Sequence, residues 1–344
     1  MRDSTACSSV KPPPADVGHA LERHWQRRGL VGVALLPLAV AYCLIVRARR
    51  ALYRLGILSR YHPGAPVIVV GNVTVGGTGK TPLVLWLVEA ARRRGLRPGV
   101  VARGYGGRAP HYPMRVVATS DVRACGDEPL LVARATGCPV TVAPDRVAAA
   151  RDVVAQGCNL VIADDGLQHY RLARDFEILV IDGARRFGNG WCLPAGPLRE
   201  PAQRRADAVV VNGVPAAGEW GLRLVGARAA RVDGAEGELP VQQLPQPVHA
   251  VAGIGNPARF FEHLRGLGLA VVEHAFPDHH AFVAADVDYP GAGAIVMTEK
   301  DAVKCQAFAG PRHWVLRVRA EPDAGLAARI DAFLDGVCDG QKTA

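Results

Sequence analysis

The chain has no Cys-x-x-Cys pair: its eight cysteines stand singly at positions 7, 43, 125, 138, 158, 192, 305 and 338. That scatter gives no metal-like spacing, and isolated cysteines in a chain of this size behave as small buried hydrophobes in a reducing compartment. No internal repeat or low-complexity segment stands out. Long apolar runs are also scarce. The one uncharged stretch of that kind, Leu30–Val46, falls at the short end of the roughly 17–25 residues a spanning helix needs, and Pro37 interrupts it.

What is present is a core and an excess of positive charge. With 344 residues and 49% hydrophobic content the chain can bury a sizeable interior, and its length suggests two domains. The net charge of +9 asks for an acidic partner: nucleic acid, an anionic membrane surface or a phosphorylated substrate. The basic residues gather around the apolar run, with Arg23, Arg27 and Arg28 before it and Arg47, Arg49, Arg50 and Arg54 after it. They do not interleave with aromatic stacking positions, so no nucleic-acid partner is expected. The late start and the basic residues on both sides argue against a cleaved signal peptide, and charge at both ends gives a span no orientation. A helix lying in the interface with its arginines on headgroups fits, and membrane attachment on the cytoplasmic side is expected. The competing reading is an apolar helix packed on the protein's own core.

From Pro66 onward apolar strands alternate with helices: Val67–Val70, Gly99–Arg103, Val140–Val142, Leu160–Ala163, Ile178–Ile181 and Val209–Val211, with helices over Pro82–Arg94 and Asp145–Gln156. Continuous apolar strands of this kind predict a parallel sheet covered on both faces. After the first strand comes Gly71-Asn72-Val73-Thr74-Val75-Gly76-Gly77-Thr78-Gly79-Lys80-Thr81. Strand, glycine-rich turn, Lys-Thr and helix together form a triphosphate-binding loop. Its residues Thr74 to Thr81 turn backbone N–H groups onto phosphates, Lys80 reaches the β and γ oxygens, and Thr81 holds Mg²⁺. The first glycine of the usual spelling is replaced by Thr74.

In such sheets ligands sit beyond the carboxyl ends of the strands. Asp164-Asp165-Gly166-Leu167-Gln168-His169 directly follows the Leu160–Ala163 run, the place of a carboxylate that holds Mg²⁺. Asp127 and Glu128, after Gly126, read either as an acidic helix N-terminus or as carrying a general base for a hydroxyl. Arg199 and Glu200 stand on the rigid loop Pro194–Pro201, where a cation can meet developing charge and a carboxylate can lie near the metal.

Beyond about residue 213 the pattern weakens and a smaller α/β domain begins. It offers a strand at Val248–Ile254, a helix reaching Leu267, the Asp278-His279-His280 group, a strand at Ile295–Met297 and a terminal helix from Asp323 to Phe333. Adjacent histidines point apart and lack a third ligand at helical spacing, so a histidine paired with a carboxylate is favoured over zinc. Thr298–Lys304 reads as a solvated charged turn or as a cleft wall facing phosphates.

These motifs, in this order, resemble the tetraacyldisaccharide 4'-kinase family, the inner-membrane lipid A kinases of Gram-negative bacteria. The resemblance runs from about Leu30 to Lys304. It rests on the arginine-flanked apolar helix, Gly71-Asn72 through Gly77-Thr78-Gly79-Lys80-Thr81-Pro82, Arg103-Gly104-Tyr105-Gly106-Gly107, Gly126-Asp127-Glu128-Pro129, Asp164 to His169, Pro197-Leu198-Arg199-Glu200-Pro201, Asp278-His279 and Thr298-Glu299-Lys300-Asp301. The Thr74 departure belongs to that family's loop.

The resemblance implies an enzyme of lipopolysaccharide synthesis that uses ATP and Mg²⁺ to phosphorylate the 4'-hydroxyl of a tetraacylated glucosamine disaccharide 1-phosphate, giving lipid IV-A. It implies Asp127 as catalytic base with His279 as partner, though His280 stands beside it. It also implies Asp164, Asp165 and Glu200 as metal-side carboxylates and Gln168 near the nucleotide.

The expected architecture is a P-loop NTPase-like parallel sheet with helices on both faces. Residues 1–20 form a disordered leader, 21–55 the membrane-associated helix, 56–212 the kinase domain and 213–344 the smaller domain closing the cleft. A monomer on the cytoplasmic face of the inner membrane is expected. The reading from another class is a membrane-associated P-loop nucleotide switch of partition-ATPase or metallochaperone type. Guanine use is not expected, because Lys300 and Asp301 are adjacent where Asn-Lys-x-Asp requires one residue between them.

Overall fold

The computed structural model describes residues 24–342, so the expected leader, Cys7 and the first residues of the 21–55 segment lie outside the described residues. The β-strands join in one 13-stranded sheet. Its first half holds β1 (Val67–Gly71), β2 (Pro98–Ala102), β3 (Met114–Val116), β4 (Val140–Val142), β5 (Leu160–Asp164), β6 (Phe176–Asp182) and β7 (Ala208–Asn212). Its second half holds β8 (Trp220–Arg231), β9 (Glu238–Pro240), β10 (Val248–Ala252), β11 (Val271–Ala275), β12 (Ala294–Thr298) and β13 (His313–Pro322). The spatial order is β11-β10-β12-β13-β8-β7-β6-β1-β5-β2-β4-β3, with β9 paired to β8.

β1 lies between β5 and β6, parallel to both. Because side chains alternate across a strand, its four valine and isoleucine residues divide between two cores. Ile68 and Val70 face one cluster; Val67 and Val69 face the other. This is why the strand reads as continuously apolar: neither face meets water. The helices on the two faces are α1 (Leu30–Arg54), α2 (Lys80–Arg93), α3 (Val122–Cys125), α4 (Asp127–Thr136), α5 (Arg146–Ala155), α6 (Pro257–Gly266), α7 (Glu299–Cys305) and α8 (Ala324–Lys342). In α2, Leu83, Val84, Leu87, Val88 and Ala91 recur at helical spacing and are all buried, so one stripe of the helix faces the sheet.

The strands of the 213–344 segment continue the same sheet. The seam is the long antiparallel pair β8·β13, with an irregularity between Arg317 and Arg319. There the backbone of Arg317 passes so close to Gly226 that a Cβ on Gly226 would collide with the carbonyl oxygen. Beyond the seam β10, β11 and β12 run parallel and carry two further clusters of buried residues, one on each face.

α1 stands on the first half with two unlike faces. Gly32 and Ala39 are buried, Gly32 lying against Trp191, and the Tyr42 hydroxyl donates to the Arg199 carbonyl oxygen at 3.1 Å. The other face exposes Leu30 (90%), Leu38 (61%), Leu44 (59%) and Ile45 (67%), far more apolar surface than a soluble helix normally leaves open. Pro37 lies inside the helix without ending it. Among the described residues no helix is long and apolar enough to cross a membrane.

Candidate active site

The phosphate loop is shaped by its own side chains and by three neighbouring segments. The Asn72 amide donates to the Gly76 carbonyl oxygen at 3.1 Å, and Gly76 (φ +96°) and Gly79 (φ +85°) adopt the left-handed backbone that glycine permits. Gly79 caps α2, so the helix N-terminus opens at Lys80. From the Pro194–Pro201 loop, Val75 N donates to Pro197 O at 2.9 Å and Arg199 N to Val73 O at 2.7 Å. From β7, the Asn212 amide donates to Thr78 O at 3.3 Å. Arg185 spans Gly77 O and Gly255 O, tying the loop after β10 to the phosphate loop.

Register then sets the carboxylates. Val70 of β1 pairs with Asp164 of β5, which puts Asp164 beside the start of the loop. Asp165 follows in the left-handed region (φ +51°), with Lys80 Nζ 3.3 Å from one oxygen and Arg199 3.2 Å from the other. Burial alone would raise the Asp165 carboxyl, but Lys80 and Arg199 outweigh it and hold it at about 2. Asp164 lies in the opposite situation. Burial, with the charge of Glu128 added, pushes it up to about 7, and its buried Oδ1 has no hydrogen-bond partner. A buried carboxylate with an unpartnered oxygen, at the end of the strand beside β1, fits a divalent cation accompanying phosphates.

Glu200, the third of the expected metal-side carboxylates, is already paired. It was expected on the metal side, but it is fully buried, with Oε2 accepting from Arg204 at 2.6 Å and Oε1 from Gln168 at 2.9 Å. The buried guanidinium already supplies the countercharge. Glu200 also holds Gln168, whose amide donates to Asn72 O at 3.0 Å.

A second cluster draws on both halves of the sheet. Asp127 is the first residue of α4, after Gly126 at φ +87°. His279, itself at φ +60°, brings Nδ1 to 3.1 Å from Asp127 Oδ2, with the Tyr105 ring 4.7 Å from the imidazole. Lys300 Nζ lies 2.9 Å from Asp278 and 3.2 Å from Glu128; Lys304 Nζ lies 3.8 Å from Asp127 and 2.8 Å from Asp301. Burial pushes the Asp127 carboxyl up, yet the His279 hydrogen bond and the two lysines hold it below the usual carboxylate value. Burial disfavours charge on Lys300 as well, but Glu128, Asp127 and Asp278 more than restore it. His280 turns away to Asp286 Oδ2 at 3.0 Å, which leaves His279 as the histidine beside the acid.

Thr298–Lys304 is not a solvated turn. Thr298 caps α7, accepting from Asp301 N at 3.2 Å, and the segment presents Lys300 to the acidic cluster. Asp301 is fully buried, accepting from Gly253 N at 2.9 Å and from the Thr298 hydroxyl at 2.6 Å beside Lys304. Asp301→Ala is expected to destabilise the protein by about 2 to 4 kcal/mol, since it takes the nearer countercharge from the buried Lys304 and leaves two donors without their acceptor. Chemical denaturation checks this; a loss below about 1 kcal/mol would contradict it.

Between the two clusters runs a cleft whose floor is Gly77 to Thr81 and whose walls include Leu131, Leu224, Ile254 and Phe260. Glu128 and Lys300, the neighbours of the acid–histidine pair, line the same cleft as the phosphate loop. Apolar walls beside a phosphate loop suit a flat base. Asn212, Asn256 and Arg259 line it too, and Asp182 holds Arg259 at 3.0 Å and the Asn256 amide at 3.3 Å. These residues escaped the sequence reading, although Asp182 and Asn212 end their strands, which is the positional signal that marks such groups.

Burial pushes Glu299, also in the cleft, up to about 7. A raised carboxylate binds its proton more tightly in the folded state, so its stabilising contribution is full below about pH 4.5 and is lost as pH rises through about 7. Glu299→Gln is accordingly expected to match the wild type at pH 4.5 and to exceed it by about 1 to 3 kcal/mol at pH 8. Parallel denaturation at the two pH values tests this, and equal differences at both would contradict it.

Comparison with known proteins joins these features. The family model for tetraacyldisaccharide-1-P 4'-kinase, LpxK, matches residues 31–335. The chain is 53% identical to a tetraacyldisaccharide 4'-kinase from Alkalilimnicola ehrlichii, covering 88% of this chain and 92% of that one. It is 45% identical to one from Nitrosococcus oceani over 93% and 96%. Among solved structures it resembles the "apo" form of LpxK from Aquifex aeolicus in complex with ATP. The TM-score is 0.72 at 27% identity, covering 88% of this chain and 99% of that one.

Proposed function

The chain belongs to the tetraacyldisaccharide-1-P 4'-kinase family, and from that premise we infer how its residues carry out the family reaction. It is an ATP-dependent kinase that phosphorylates the 4'-hydroxyl of a tetraacylated glucosamine disaccharide 1-phosphate, giving lipid IV-A in lipid A synthesis. The nucleotide-switch alternative is not favoured, since the relatives are kinases. The observation that carries the mechanism is the shared cleft, with Lys80 on its floor and the Asp127–His279 pair's neighbours Glu128 and Lys300 at its edge.

In our reading Lys80 and the amides of Thr74 to Thr81 hold the β and γ phosphates. Thr81, Asp164 and Asp165 would hold Mg²⁺, which supplies charge neutralisation between those phosphates. Lys80 and Arg199 now rest on Asp165, which keeps both cations positioned for the incoming nucleotide. Asp127 accepts the proton of the 4'-hydroxyl as the hydroxyl oxygen attacks the γ-phosphorus and the bond to the β,γ-bridging oxygen breaks, releasing ADP. His279 orients the carboxylate and shares the charge, and Gln168 fixes the loop near the nucleotide. Residues 56–212 supply the phosphate loop and the base, while 213–344 supplies His279 and the cleft's second wall.

The exposed face of α1 supports attachment to the cytoplasmic face of the inner membrane, where the acylated acceptor resides. A helix with apolar residues outward and arginines at both flanks lies in the interface rather than across it. Phosphorus NMR of the reaction product tests the chemistry: a second phosphomonoester coupled to the 4' carbon is expected, and phosphate appearing only in water would overturn it. Leu44→Ser with Ile45→Ser tests the attachment; an unchanged membrane-bound fraction would contradict it.

A further inference from the structure

Beside the C-terminal end of α1, apart from the cleft, a second cavity is lined by Arg50, Arg54, Arg60, Arg174, Arg204 and Arg205 around Tyr170. Its acidic neighbours are already engaged. Glu177 takes Arg174 at 3.0 Å and Arg204 at 2.8 Å, Glu200 takes Arg204 at 2.6 Å, and Asp207 Oδ2 accepts from Glu177 N at 2.8 Å. Arg50, Arg54, Arg60 and Arg205 have no such partner among the described residues. Beneath them the Arg204 side chain is almost fully buried, and its Nε has no hydrogen-bond partner. Burial and then the charges of Arg204 and Arg54 push the half-buried Arg50 guanidinium below its ordinary value, with Glu200 only partly offsetting them.

Guanidinium forks converging on a cavity match the oxygens of a phosphate, which accepts several bidentate bonds at once. The surroundings say what else the ligand carries. Arg50 and Arg54 are one turn apart on α1, and Leu44, Ile45, Leu52, Leu55, Ile57 and Leu58 are exposed along and just beyond the same stretch. A free phosphate uses the forks alone; a phosphate attached to acyl chains uses both surfaces. We propose that this cavity is a headgroup site that takes the phosphate of an anionic glycerophospholipid and fixes the seating of α1 on the bilayer. The inference rests on the reading of α1 as a membrane-surface helix, and it goes beyond that reading by replacing diffuse attraction with a defined site.

Diffuse attraction counts charge, whereas a site counts forks. The test is flotation of the full chain with phosphatidylcholine vesicles, with and without phosphatidylglycerol. Arg54→Lys with Arg205→Lys conserves charge on two exposed side chains and removes two forks. Arg27→Ala with Arg47→Ala removes charge outside the cavity. The lysine pair is expected to lose roughly tenfold of the affinity for phosphatidylglycerol vesicles and nothing for phosphatidylcholine alone. The alanine pair is expected to lose less.

Full retention by the lysine pair, or an equal loss by the alanine pair, would leave diffuse charge as the explanation and overturn the site while sparing membrane attachment. No flotation of the wild type with either vesicle would overturn attachment itself. Two further arms separate the phosphate sources. The KM for the acylated disaccharide in neutral detergent should be unchanged in the lysine pair; a rise would assign the cavity to the substrate's own phosphate. Inorganic phosphate titrated at constant ionic strength should compete only weakly with phosphatidylglycerol; strong competition abolished in the lysine pair would make it a soluble-phosphate site.

Discussion

Lys80→Ala is expected to lower kcat by roughly a thousandfold, against roughly ten- to a hundredfold for His279→Ala. The difference follows from what phosphoryl transfer asks of a protein. The transition state is loose, with charge spread over the γ-phosphate oxygens, so holding and neutralising that group outweighs the strength of the base. Lys80 stands at the opening of α2, 3.3 Å from Asp165, so it is already positioned at the loop before nucleotide arrives. In the proposed mechanism His279 acts through Asp127, and its loss leaves the carboxylate in place with Lys304 3.8 Å away. Turnover of both variants at saturating ATP and lipid decides the matter; equal losses, or the reverse order, would contradict the account.

Asp127→Asn is the second large effect, a loss of roughly a hundred- to ten-thousandfold in kcat. Asparagine keeps the shape and can still accept from Glu128 N, which Asp127 Oδ1 now does at 2.9 Å, so the variant should fold. What it removes is the negative charge facing His279, Lys300 and Lys304. The imidazole reports this independently of activity. Burial works against the charged ring, but the hydrogen bond to Asp127 raises His279 above its ordinary value. In the asparagine variant that support is gone, and the His279 pKa should fall. NMR titration of the ring reads the shift directly. An unchanged pKa would mean that Asp127 and His279 are not coupled, and wild-type turnover would remove Asp127 from the reaction.

The parallel half of the sheet was legible because its strands are buried on both faces and so spell uninterrupted apolar runs, as Val67–Val70 and Leu160–Ala163 do. The phosphate loop and the Asp164–Asp165 pair were legible for a related reason: local chain geometry, strand then turn, places them without help from distant segments. β8 and β13 were missed. They pair antiparallel along most of their length and keep part of their surface in solvent, so arginines at 223, 228, 317 and 319 interrupt the apolar pattern. β11 is an edge strand with a largely open face and was missed for the same cause.

In the site, what sequence could not supply was pairing across the chain. Nothing local says that Glu200 takes Gln168 from 32 residues upstream, or that Lys300 reaches back to Glu128 across 172 residues. The choice between His279 and His280 likewise depends on Asp286, which holds the second ring aside.

The central claim is that one cleft transfers the γ-phosphate of ATP to a lipid hydroxyl with Asp127 as base. Its most direct test is transfer of labelled γ-phosphate, in detergent, to a tetraacylated glucosamine disaccharide 1-phosphate, with a control lacking lipid and a parallel reaction with Asp127→Ala. The account predicts labelled lipid from the wild type and almost none from the variant. Label released to water at the same rate with and without lipid would contradict it.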